Sequence, residues 1–144
     1  MMPVDSLSWG DFLWTPLRSR WRWPLAAATV VTAAAHLPVI EPHLHEAPYM
    51  GEEFVVLTVA CLLLGLAAIV CDSPIVYTLT VVTCGLAILG YVVTRLVAFP
   101  QLADDVGNWL EPLGVVSVVA ETVAVITAVN GLSVDSRRGS PARI

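Results

Sequence analysis

The chain has 144 residues, of which 57% are hydrophobic and 13% charged, with a formal net charge of -5. A soluble domain carries roughly 25% charged residues, so this composition points away from a soluble globule and toward a single membrane domain. All seven positive charges are arginines, and no basic surface for nucleic acid is present in the pattern.

Residues 1–23 read as an interfacial anchor. Trp9, Phe12, Leu13, Trp14, Leu17, Trp21 and Trp23 alternate toward the end with Arg18, Arg20 and Arg22. Tryptophan rings and arginine side chains both favour the headgroup zone. A short amphipathic helix is expected from Ser6 to Trp14, ended by Pro16.

Four apolar runs follow within residues 24–131, each near the length of about 20 helical residues that a bilayer requires. Span one is expected over 24–40, with Pro38 near its far end. Its basic start and Ala33-Ala34-Ala35 also fit a cleavable signal peptide; we expect it to be retained. Glu41 to Glu53 reads as a polar loop broken by Pro42, Pro48 and Gly51. Span two covers 54–71. The CDSP turn, with Asp72 or Ser73 as cap and Pro74 in the first turn, folds it back onto span three.

Span three covers 75–98, with Gly85 and Gly90 as places for close helix approach. A second polar loop runs from Phe99 to Asn108. Asn108 is the expected cap of span four, 109–130, with Glu111 completing a capping box. Asn130-Gly131 reads as its stop, and 132–144 as a polar, disordered tail. The expected fold is all-α, a transmembrane four-helix up-down bundle with an N-terminal interfacial helix.

Orientation follows from the arginines. Six of the seven, Arg18, Arg20, Arg22, Arg137, Arg138 and Arg143, lie on the side of both termini. The positive-inside rule puts both termini in the cytoplasm of a multi-pass plasma-membrane protein. Glu41, Glu46, Glu52, Glu53, Asp104, Asp105, Glu111 and all three histidines then lie toward the outer face.

Three polar constellations stand out. His43, His45 and Glu46, near His36, combine imidazole and carboxylate and suit copper or zinc. The bland alternative is acidic residues favouring the N-termini of spans two and four. Arg95 is the one positive charge near the outer face. It needs a carboxylate, ideally a single bidentate one. Glu111, Asp104 and Asp105 are the candidates, with His36 on the neighbouring span, as an intramembrane polar clasp between spans three and four. An anion or proton site at Arg95 is the functional alternative.

Glu121 is the deep carboxylate, roughly 20 Å below Asn108 at 1.5 Å per residue. No arginine or histidine is expected at that depth. Thr29, Thr80, Thr83 and Cys84 are, so a protonated acid bonded to threonine hydroxyls competes with a proton- or cation-coupling group or a subunit contact.

No catalytic constellation emerges. The three cysteines, Cys61, Cys71 and Cys84, form no CxxC pair. No nucleophile elbow, phosphate loop or HExxH occurs. Only His36 approaches the membrane interior, one imidazole too few for a bis-histidine haem. The stretches YVVTRLVAFPQLADDVGNWLEPLG and HLPVIEPHLHEAPYMG resemble an uncharacterised actinobacterial family of small four-span integral membrane proteins, over about residues 30–130. The resemblance implies that the Arg95–Glu111 region is the family's signature, and it brings no activity with it.

The pattern is compatible with two classes of function. One is a non-catalytic membrane protein, an accessory or assembly subunit working through the lipid bilayer with other membrane subunits or with itself. The other is a small oligomeric transporter or metal/proton-binding protein with an extracytoplasmic His/carboxylate site. The direction in which Arg95 and Glu121 point discriminates them: a wet cavity favours transport, and packing against neighbouring helices favours the accessory subunit.

Overall fold

A computed structural model describes residues 9–138. A short helix α1, Trp9–Trp14, precedes four long ones: α2, Arg22–Glu46; α3, Pro48–Val70; α4, Pro74–Leu96; and α5, Pro112–Arg138. Each long helix is long and apolar enough to cross a membrane. No strand occurs among the described residues. Residues 1–8 and 139–144, which include the start of the expected interfacial helix and the last six residues of the expected disordered tail, lie outside the described residues.

The helices are neighbours in a ring. α2 packs most extensively on α3 and also on α5, and α4 packs on α5; among the four long helices the α3–α4 contact is the thinnest of these, and the short α1 lies more lightly against α4. We call the end holding residues 15–21 and 71–73 proximal, and the end holding Ala47 and residues 97–111 distal.

The first expected loop does not exist as such. α2 runs through Pro38 and Pro42 to Glu46, and Ala47 alone separates it from α3. A proline inside a helix removes a donor, and breaks of this kind are tolerated where neighbouring helices hold the segment. Here the hairpin packs to its tip. Ala47 is fully buried, its N–H donates to the His43 carbonyl at 2.8 Å, and a side chain at Gly51 would strike the Leu44 backbone. Pro48 opens α3 from its first turn, where a missing N–H costs least.

The start of span four also differs. α5 begins at Pro112, and Glu111, not Asn108, is its cap: the Glu111 carboxylate accepts from Gly114 N–H at 2.8 Å. Pro112 suits the first helical position, which fixes the register. At the other end α5 does not stop at Asn130-Gly131 but continues to Arg138. Gly131 serves packing instead, since a side chain there would meet the ring of Tyr77 on α4.

Small and hydroxyl residues fill the interior. Ala26, Ala28, Ala33, Ala35, Ala68, Ala124 and Ala128 are buried beside Thr29, Thr32, Thr58 and Thr80. Leucines and valines such as Val56, Leu63, Leu66, Leu86 and Val119 face outward. This is the arrangement expected where lipid, and not water, surrounds the helices and close backbone approach drives association.

Candidate functional site

Two polar clusters lie within the helical bundle, and a third ties its proximal end. At the distal end, the last turn of α4 aims Arg95 at the chain that leads into α5. Its Nη1 lies 2.7 Å from Asp105 Oδ1 and its Nη2 lies 3.8 Å from Glu111 Oε2. The guanidinium stands over the Tyr91 ring at 4.6 Å, a cation–π contact. Tyr91 in turn donates its hydroxyl to the Trp109 carbonyl at 2.9 Å, and Gly107 N–H donates to the Arg95 carbonyl at 2.9 Å. Gly114 leaves room for both the Tyr91 ring and the Glu111 carboxylate.

The clasp thus has two of its expected carboxylates and lacks the rest. Arg95 divides its fork between Asp105 and Glu111 instead of taking one bidentate partner. Asp104 is exposed beside it and makes no ion pair among the described residues. Both aspartates lie in the 3₁₀ turn Ala103–Asp105, and of the two only Asp105 pairs with Arg95.

His36 is not in the clasp at all. It sits in the interior of the bundle, with Nε2 3.8 Å from Glu121 Oε1 on α5, and both side chains are at least 93% buried. The reason is the length of α2. With the helix running to Glu46, His36 lies ten residues, roughly 15 Å, from its distal end. Glu121 lies nine residues, roughly 14 Å, from the start of α5. The two helices therefore bring the pair to one level, and the expectation of no histidine at that depth is overturned.

The histidine is held from two sides. Nδ1 bonds the Thr32 carbonyl at 2.8 Å, and the Phe54 ring of α3 lies 5.3 Å from the imidazole. Thr29 and Thr80 donate to the carbonyls of Ala26 and Val76 on their own helices, so they are not donors to Glu121 as the threonine-bonded reading expected. The Thr32 and Thr58 hydroxyls, also buried, have no hydrogen-bond partner. Cys61 on α3 and Cys84 on α4 are buried free thiols.

His43 packs edge-on against Phe54 at 4.9 Å and bonds the Val39 carbonyl at 2.7 Å, while His45 and Glu46 are exposed at the end of α2. Among the described residues no three His, Cys, Asp or Glu side chains are grouped to hold a metal ion. Copper or zinc at His43, His45 and Glu46 would therefore need further ligands from elsewhere.

Sequence reasoning missed the third cluster. Of the two residues read as the cap of α4, Ser73 occupies the cap position, without a side-chain bond, and Asp72 does not. Asp72 instead gathers the segment that precedes α2. Its carbonyl accepts from Leu17 N–H, one carboxylate oxygen from Ser19 N–H, and the other from the Tyr77 hydroxyl, each at 2.7 Å. Its backbone is left-handed, with φ 42°, and aspartate is among the residues that tolerate this. The signal available was the aspartate in a three-residue turn, but its distant partners carry no local pattern.

Compared with family models, with curated proteins and with solved structures, the chain matches none.

Proposed function

We propose that this protein is a non-catalytic subunit of a plasma-membrane assembly, acting through helix contacts with other membrane proteins or further copies of itself. The observation that carries this reading concerns glycine. Glycine in a helix interior costs about 1 kcal/mol relative to alanine, so each needs a reason. Gly51, Gly65, Gly114 and Gly131 have one, because a side chain at any of them would collide with Leu44, Thr29, Tyr91 or Tyr77. Gly85 and Gly90 on α4 do not: nothing lies within 4 Å of a side chain built at either. The two lie five residues apart and so face different directions; helices of other subunits approaching α4 at these positions would supply the missing contacts.

The charged groups favour the same conclusion. Arg95 is taken up by Asp105 and Glu111, and Glu121 faces His36. Internal pairing of this kind is how intramembrane charges serve structure. In this reading both termini are cytoplasmic, by the arginine distribution. α1 and the Trp/Arg segment after it lie in the inner interface, and Asp72 joins that segment to the bundle. The Arg95 knot caps the extracytoplasmic end.

The test is the size of the particle extracted gently from native membranes. The wild-type chain is expected in a particle larger than one 15.4 kDa subunit. The G85L/G90L variant is expected to fold with unchanged helix content and to leave that particle. A wild-type chain that is monomeric and alone, or a variant that stays in the particle, contradicts the proposal.

A further inference from the structure

We propose that His36 and Glu121 form a proton-binding site in the α2–α5 interface, holding one proton between imidazole Nε2 and carboxyl Oε1. This goes beyond the role in assembly and does not depend on it. The Thr32 carbonyl can only accept, so the 2.8 Å contact makes His36 Nδ1 the donor. In a neutral imidazole the other nitrogen, Nε2, then carries a lone pair. That nitrogen is the one that faces Glu121, at 3.8 Å.

An ionised carboxylate is also acceptor-only. With Nδ1 protonated and no further proton, a lone pair and an anion would face each other at a site closed to water. Neither buried acceptor would then have a donor from the other, and such burial is costly. A single added proton removes the conflict in either of two forms. On Nε2 it makes an imidazolium–carboxylate ion pair; on Oε1 it makes a carboxylic acid directed at the imidazole. The 3.8 Å separation exceeds a formed hydrogen bond, so closing it needs only a small side-chain movement on one helix.

The surroundings suit a bound proton. Phe54 packs on the imidazole from α3. Thr32 lies one turn from His36 and Thr58 one turn from Phe54, both with buried hydroxyls that lack partners. Cys61 from α3 and Cys84 from α4 are the other titratable groups near Glu121. Arg95 is engaged with Asp105 and Glu111.

The experiment uses the full chain in lipid nanodiscs at neutral pH. Infrared spectroscopy reads carboxylic-acid C=O absorption, and nitrogen NMR of 15N-histidine-labelled protein reads the His36 tautomer and charge, assigned with H36Q. The expected result is a hydrogen on Nδ1 of His36, together with one of two signatures. Either a carboxylic-acid band is lost in E121Q, or an imidazolium signal of His36 is lost in E121Q. Glutamine keeps the size of the side chain, and unchanged helix content in E121Q establishes that the loss is local. A neutral His36 without the acid band overturns the proposal, as does a hydrogen on Nε2 with Nδ1 bare.

Discussion

Arg95 Nη1 and Asp105 Oδ1 stand 2.7 Å apart and join the end of α4 to the loop that opens α5. Arg95 is almost fully buried, and its Nε has no partner, so its charge rests on Asp105 and Glu111. Breaking a buried pair by removing one partner typically costs about 3–5 kcal/mol. Asp105 is partly exposed, which lowers that figure. D105N is expected to destabilise the protein by about 2–3 kcal/mol on this basis. E111A should cost about 1 kcal/mol, mainly through the lost helix cap. D104A should fall within about 0.5 kcal/mol of wild type. Denaturant unfolding in micelles reads all three, and an effect of D104A equal to that of D105N would refute the assignment.

A second prediction concerns the proximal tether. Asp72 accepts from Ser19 N–H and from the Tyr77 hydroxyl through opposite carboxylate oxygens. D72A should free residues 15–21 from the bundle. The Leu17 amide keeps its bond to the residue 72 carbonyl only if the left-handed turn survives. Hydrogen exchange at Ser19 is expected to quicken far more than at the α5 amides. Y77F removes one hydrogen bond to a charged group, at a cost of about 1.5–3 kcal/mol. Equal protection of Ser19 in wild type and D72A would show that the tether is not what holds the segment.

The glycines give a third prediction, with opposite signs at different positions. In the isolated chain, G85A and G90A should each stabilise by about 0.5–1 kcal/mol, because alanine is the better helix former and meets no neighbour. G131A should destabilise by about 1–3 kcal/mol, because the Tyr77 ring must move from a packed site. The same denaturant series measures both. Destabilisation by G85A in the isolated chain would mean that a neighbouring helix of the same chain fills the space beside Gly85.

The sequence made the four spans legible because each apolar run is near bilayer length and bounded by prolines or polar residues. It also made Arg95 legible, since a buried guanidinium must find carboxylates and only a few lie within reach. It misplaced what depends on helix ends. Pro38 and Pro42 read as terminators, yet the α2–α3 packing at Leu44 and Gly51 carries the helix past both. That extension moved His36 away from the clasp and level with Glu121. The cap at Glu111 in place of Asn108 has a similar origin, in a proline whose best position is the first helical residue. Asp72 was invisible as a tether because the segment it holds is distant in sequence, with Ser19 53 residues away.

On the reading proposed above, the open surface of α4 around Gly85 and Gly90 meets other protein in the membrane. The most direct measurement places a photo-crosslinking residue at Gly85, at Gly90 and, as a lipid-facing control, at Val56, which is 68% exposed. Irradiation in native membranes is predicted to give discrete protein adducts from residues 85 and 90 and none from residue 56. Adducts absent at all three positions, or formed equally from Val56, would show that α4 meets no specific protein partner there.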